Sequence, residues 1–214
     1  MIYTKSLNYK YETDVFVAGG GPSGVAAAVA AARSGKKVFL AEATGCFGGL
    51  GTSGLVPAFA PFDDGENILA SGIGYEIRQR LAQSTPLRNW TTLDIEELKR
   101  EYDKIIVESG VDFSFFTSVY DVIVDNGRVE SVILGSKSGL FAVKAKIYID
   151  CTGDGDLCAF GGADIIVPEN VNVKVNTFCL FGGISDKRTI KSVDKDGVTL
   201  KINGFCIFGG ADIK

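Results

Sequence analysis

The stretch from Asp14 to Glu42 constrains the fold most, because it demands strand, glycine turn, helix and strand in that order. Asp14-Val15-Phe16-Val17-Ala18 is a short, mostly apolar run suited to a strand buried in a parallel sheet. Gly19-Gly20-Gly21-Pro22-Ser23-Gly24 follows at once and carries the G-x-G-x-x-G spacing through Gly19, Gly21 and Gly24. Val25 to Arg33 is alanine-rich and predicts a helix, which Ser34-Gly35 ends. Lys37 to Ala41 is the second strand, with Glu42 at its tip. In such a unit the first glycine makes the tight turn and the second admits backbone N–H groups to a pyrophosphate. The third lets helix and strand pack closely. Pro22 suits the first helical turn, and the helix N-terminus offers unpaired N–H donors to phosphate. Glu42 can accept hydrogen bonds from a ribose diol.

The remaining composition excludes several chemistries. A net charge of −4 gives no basic field for nucleic acid or an anionic membrane. Met1 to Thr13 lacks the charged-then-apolar pattern of a signal peptide, and no apolar run reaches the roughly 18 residues that span a bilayer. A cytoplasmic location is expected. The five cysteines form no C-x-x-C pair, and an odd number argues against a disulfide framework. Histidine is absent, which removes Ser-His-Asp triads and the usual zinc sites, so no metal is expected.

Beyond Glu42, five glycines stand among the twelve residues 43–54, too many for regular structure. Placed past the second strand, they fall on the carboxyl side of the sheet, where open α/β folds bind ligands. Phe47, Leu50, Leu55 and Val56 are expected to tie that stretch down. Residues 57–67 read as loop, Gly72 to Gln83 as a helix and Ser84 to Trp90 as a turn. Asp94 predicts an N-cap with Glu97 three residues on, followed by an apolar face of Ile95, Leu98, Tyr102, Ile105 and Ile106. Val111 to Phe116 is a strand candidate. From Val119 the period changes, and the Asp125-Asn126-Gly127 and 135–139 turns predict an antiparallel meander whose last strand returns to the main sheet. That strand runs into Cys151-Thr152-Gly153-Asp154-Gly155-Asp156, a pattern that fits a ligand edge and a solvated turn equally well. Val171 to Phe181 reads as one long strand, and Thr189 to Phe208 as containing a hairpin around Asp194 to Gly197. Phe160-Gly161-Gly162-Ala163-Asp164-Ile165 recurs as Phe208 to Ile213.

Taken together, Val17 to Gly24, Glu42, Gly48 to Pro57 and Asp150 to Leu157 resemble the FAD-dependent oxidoreductases of the glutathione-reductase structural class. The resemblance covers about Asp14 to Ile184. It implies an α/β fold: a Rossmann-like FAD-binding domain with a parallel sheet and an antiparallel β-meander, followed by the start of a β-rich second domain. The first domain would occupy 1–167, with a helical insertion at about 57–110 and the meander at about 119–149. Residues 168–214 would begin an incomplete substrate-type segment. By position, the resemblance implies that Gly19, Gly21, Pro22, Ser23 and Gly24 face the FAD pyrophosphate and that Glu42, with Ala43 beside it, meets the adenosine ribose. Gly48, Gly49 and Thr52 would line the pyrophosphate-to-ribityl stretch. Val119 would meet the adenine through its backbone, and Thr152, Gly153 and Asp156 would close over the pyrophosphate. No catalytic residue is identified.

Members of that family are longer, so this chain is expected to hold the FAD-binding part without the segment that returns to the flavin ring. Cys46 has no second cysteine at short spacing and reads as a structural or incidental thiol. The implied function is an FAD-dependent oxidoreductase moving a hydride or electron pair between flavin and an unnamed small organic substrate. The alternative is a non-catalytic or truncated dinucleotide-binding module needing a missing domain or partner. A nicotinamide-dependent dehydrogenase is a weaker third. No turnover is expected of this chain alone, and apolar strand surface around Phe178 to Phe181 and Phe205 to Phe208 points to self-association. Nucleic acid and membrane are not expected as partners.

Overall fold

A computed structural model describes residue 4 and residues 6–59, 62, 64, 66–84, 93–161, 163–165, 172–186 and 199–213. The chain divides into two compact units, Met1–Asp154 and Gly155–Lys214, whereas the sequence placed the change at 167.

In the first unit the strands are β1 (Tyr9–Ala18), β2 (Val38–Ala41), β3 (Asp112–Ser114), β4 (Ser118–Asp125), β5 (Arg128–Ser136) and β6 (Gly139–Asp150). The helices are α1 (Pro22–Arg33), α2 (Ile73–Ser84) and α3 (Ile95–Glu108). All six strands form one sheet in the order β3-β2-β1-β6-β5-β4. β3, β2, β1 and β6 run parallel, while β6, β5 and β4 form the expected antiparallel meander. The strand expected at Asp14 begins earlier, because Tyr9 to Thr13 also pairs with β6. Those residues are mostly solvent-facing and carry no run of apolar side chains to reveal them.

This sheet cannot lie flat. Five interstrand steps separate β3 from β4, about 24 Å in a flat sheet. Residues 115–117, the whole connection between them, span at most about 14 Å. The sheet is therefore rolled, and β6 carries the roll. Its first half, Gly139 to Val143, pairs with β5, and its second half, from Ala142 to Asp150, pairs with β1. The roll returns β4 to the far edge of the parallel strands.

Period-two alternation puts the two faces of β1 to different uses. Val15 and Val17, with Val38 and Leu40 of β2, join a buried cluster with Val25, Ala28 and Val29 of α1, Ile77 and Leu81 of α2, and Leu98, Ile105 and Ile106 of α3. Phe16 and Phe39 are also fully buried but face away from that cluster. Their rings associate with Tyr11 and Tyr148, the Tyr11–Phe39 pair stacking with centroids 4.1 Å apart. Each fully buried aliphatic side chain in the helix-facing core contributes about 1.5–3 kcal/mol. The α3 boundary lies where the sequence predicted it, with the Asp94 carboxylate accepting from the backbone N–H of Glu96 and Glu97.

The second unit contains a helix, α4 (Asp156–Gly161), and strands β7 (Ala163–Ile165), β8 (Asn172–Asp186) and β9 (Thr199–Ile213) in the order β7-β9-β8. The second half of the recurring stretch lies in register with its own copy. Ala163, Asp164 and Ile165 pair with Ala211, Asp212 and Ile213, and β8 meets β9 with Phe178, Cys179 and Phe181 opposite Phe205, Cys206 and Phe208. Both pairings are parallel, so like residues lie opposite like. The hairpin turn at 194–197 lies outside the described residues, as does most of the turn at 84–90. The second arm expected of that hairpin is part of β9, paired in parallel with β8. Among the described residues no helix is long and apolar enough to cross a membrane.

One ion network ties the three helices of the first unit. Glu76 of α2 accepts from Arg33 of α1 at 2.7 and 2.9 Å and from Arg80 at 2.8 Å, and Arg80 reaches Glu108 of α3 at 2.8 Å. The Arg33 guanidinium holds the Glu76 carboxyl down at about 2, against an ordinary value of 4.5. A depressed carboxyl stabilises the fold fully above its ordinary value, and that contribution is lost as pH falls toward the folded value. Glu76→Gln should therefore lower stability by about 1 kcal/mol at neutral pH, the scale of a largely solvated network. Urea denaturation should show the gap between wild type and variant closing between about pH 5 and about pH 2. A gap independent of pH would contradict this assignment.

Candidate functional site

The four parallel strands end on one edge, at Ala18, Ala41, Ser114 and Asp150, and the segments that leave them are bonded to each other. Gly19 N–H donates to the Ala41 carbonyl and Cys151 N–H to the Ala18 carbonyl, both at 2.8 Å. Glu42 N–H donates to the Ser114 carbonyl at 3.0 Å, and Thr117 N–H donates to the Glu42 carbonyl at 2.9 Å. The glycine turn, the acid, the 115–117 connection and the loop after β6 thus form one continuous strip.

Each glycine of the first turn has a distinct reason to be glycine. Gly19 has φ +89°, and a Cβ there would lie 2.6 Å from the Cys151 carbonyl oxygen. At Gly24 a Cβ would lie 1.7 Å from the Gly19 carbonyl oxygen, which is the close approach of helix to turn. Gly21 differs: its backbone is ordinary extended chain, φ −64°, and a Cβ there would meet nothing within 4 Å. Neither fold nor strain requires glycine at that position, which leaves the space in front of it. Gly21 is also the N-cap of α1, whose first turn holds Pro22 and no acidic residue, so its positive end is not neutralised by its own side chains. Gly153 faces open space in the same way.

The second glycine stretch docks on the first. Gly48 N–H donates to the Gly20 carbonyl at 2.9 Å, and a Cβ on Gly49 would lie 3.4 Å from Gly21 Cα and 3.6 Å from Pro22 Cδ. Phe47 is the anchor. It is fully buried against Phe113 and Phe115, with ring centroids 5.1 and 4.6 Å away, and its ring lies directly under Gly20. Leu50, Leu55 and Val56, which the sequence grouped with it, are exposed instead at 72%, 68% and 46%. A 3₁₀ turn at Gly49–Gly51 supplies the local order that glycine content alone argued against.

Glu42 is buried, and its carboxylate is already engaged: one oxygen accepts from Gly20 N–H and the other from Thr44 N–H, both at 2.6 Å. Each oxygen retains a lone pair for a ribose hydroxyl. Its first task is to hold the glycine turn, a role the sequence did not reveal. The other predicted residues vary in what they present. Thr52 is fully buried and its hydroxyl donates to the Phe47 carbonyl at 2.6 Å, so its side chain braces the second glycine stretch. The Ser23 hydroxyl meets the Cys151 thiol, which burial nonetheless pushes above its ordinary value. Thr152 is oriented by Asp150, which accepts from its N–H at 3.0 Å and its hydroxyl at 2.8 Å. Ala43 is exposed beside Glu42, and Val119 lies in β4, two residues past the Thr117 bond to Glu42. Asp156 opens α4 and belongs to the second unit. Cys46 is partly buried, with its sulfur 3.8 Å from the Thr52 hydroxyl. Among the described residues no cluster of cysteines and acids is arranged to hold a metal. A depression of about 300 Å³ between Glu12, Asp14, Lys37, Lys144 and Lys146 lies toward the amino ends of the strands, away from this strip.

The family model for FAD dependent oxidoreductases matches residues 14–199. The chain belongs to that family. A thiamine thiazole synthase from Pyrococcus horikoshii is 29% identical over 168 residues, 72% of this chain and 62% of that protein. In fold, the chain is similar to THI4 of Thermovibrio ammonificans (22% identity, TM-score 0.51, covering 77% of this chain and 67% of the other). It is likewise similar to the flavin-dependent brominase Bmp2 (18% identity, TM-score 0.50, 71% and 40%). The chain thus spans 62% of the length of the curated relative it matches.

FAD is the cofactor of this oxidoreductase family, and the strip fits it. The open faces at Gly21 and Gly153 are where backbone can approach a pyrophosphate, and a buried acid with spare lone pairs stands beside them. Two substitutions separate the glycine roles. Gly21→Val should leave the melting temperature and circular dichroism nearly unchanged while abolishing binding of FAD and ADP, since its side chain occupies only the open face. Gly19→Val should destabilise the fold by at least about 3 kcal/mol through left-handed strain and collision with Cys151. A Gly21→Val protein that still binds FAD would place the pyrophosphate elsewhere.

Proposed function

We propose that this chain is the FAD-binding portion of an oxidoreductase that passes a hydride or electron pair between flavin and a small organic substrate. The observation that carries this reading is the meeting of two glycine segments at the N-terminus of α1, whose first turn holds no acidic residue, with Gly49 against Gly21 and the Gly21 face open. The N–H donors of the first turn of α1 would bind the pyrophosphate. Glu42 would orient the adenosine ribose while keeping the Gly20 turn in place, and its negative charge would discriminate against a 2′-phosphate. Thr152 and Gly153, fixed by Asp150, would close the phosphate side. Bound FAD would supply the redox chemistry itself.

A second reading, a dinucleotide-binding module completed by another domain or partner, is supported by the 62% coverage of the curated relative. Turnover requires surfaces on both faces of the flavin ring, and the first unit supplies mainly the adenosine and pyrophosphate side. Among the described residues Cys46, Cys151 and Cys158 form no disulfide, which favours a reducing compartment such as the cytoplasm.

A ligand at about 100 times its dissociation constant stabilises a fold by about 2.7 kcal/mol, or roughly 5–10 °C for a chain of this size. Thermal melts should therefore rise by that amount with FAD and far less with NAD at equal concentration. Equal shifts with both would overturn the flavin assignment.

A further inference from the structure

Among the described residues three non-glycine positions adopt left-handed backbone: Leu55, Phe116 and Asn126. Asn126 precedes Gly127 in the β4–β5 turn, where that conformation is required. Phe116 has no such reason. Its φ is +49°, which bulky side chains rarely adopt, and the residue is 59% exposed, so burial does not offset the strain. The surrounding bonds impose it. Phe116 N–H donates to the Thr44 carbonyl at 3.0 Å, while the next residue, Thr117, is buried, donates to the Glu42 carbonyl and shares hydroxyl bonds with Ser114 and Phe115. The ring tip rests on Gly45, where a Cβ would lie 2.7 Å from Phe116 Cζ. Lys137, in the β5–β6 turn, holds its ammonium 5.7 Å from the ring centroid. An aromatic plane is thus fixed, in a strained backbone, against the segment that begins with Glu42.

We propose that Phe116 is a stacking shelf for the adenine base and sets the affinity for adenine-bearing ligands; this rests on the flavoprotein reading above. A purine joined to a ribose held at Glu42 is the planar aromatic group that chemistry places beside this acid. Strain localised in an exposed aromatic at a ligand edge is what a preorganised contact shows. Stability and affinity are then set against each other at one residue, and this distinguishes a ligand contact from a merely structural side chain.

The test uses the full chain with Phe116→Gly and Phe116→Tyr. Glycine relieves the left-handed strain and removes the ring, so the ligand-free melting temperature should rise by roughly 2–4 °C. The dissociation constants for both FAD and ADP should meanwhile increase roughly tenfold, the effect of one base–aromatic stack. Tyrosine should keep both affinities within about twofold. Phe116→Gly with unchanged FAD and ADP affinity would overturn the shelf while leaving the flavoprotein reading intact. So would a variant that loses stability and affinity together, or a tyrosine variant as weak as glycine. A wild-type chain that binds neither FAD nor ADP would remove both.

Discussion

Two backbone N–H groups, from Gly20 and Thr44, converge on the buried carboxylate of Glu42 at 2.6 Å each. Charge-assisted bonds of this kind are roughly twice as strong as neutral ones, and the whole carboxyl edge is arranged about them. Through Gly20 the acid fixes the turn that opens α1. Through Thr44 it fixes the start of the second glycine stretch, whose Gly48 returns a bond to Gly20. Its own backbone is held by Ser114 and holds Thr117. A carboxylate read from the sequence as a ribose ligand is therefore also the point that joins the strip together. Replacing it would remove more than one ligand contact, because two buried donors would lose their acceptor.

The rolled sheet is what makes that strip possible. Only because β6 passes from meander to parallel sheet along its length does the short 115–117 connection reach from β3 to β4. That connection brings Thr117 to Glu42 and presses Phe116 into left-handed backbone over Gly45. The aromatic packing of Phe47, Phe113 and Phe115 then fills the space beneath the glycine turn. A backbone rich in glycine gains its order from these neighbours, not from its own propensity.

Much of this was legible in the sequence, and the reasons are local. The β1–α1–β2 unit announces itself because glycine spacing, an alanine-rich helix and apolar strands all agree from Asp14 to Glu42. The α3 cap at Asp94 and the Asn126-Gly127 turn were equally visible, since each depends on residues a few positions apart. What could not be read depends on tertiary contact. Nothing in Thr52 distinguishes a hydroxyl aimed at a ligand from one bonded to the Phe47 carbonyl, and nothing in Leu50 or Leu55 distinguishes an anchor from an exposed side chain. The parallel pairing of β8 with β9 was hidden too, because turn residues between two strands suggest a hairpin whichever way the strands run.

We propose that one carboxyl edge, gathered by Glu42, holds a dinucleotide by its pyrophosphate. Backbone amide NMR of the chain during titration with FAD tests it most directly. The largest shifts should fall on Gly20 to Gly24, Thr44, Gly49, Thr117 and Thr152 to Gly153. Thr13, Asp14 and Lys144 to Lys146, toward the opposite end of the strands, should remain still. Shifts concentrated around Asp14 and Lys146, with the glycine turn unmoved, would contradict the account.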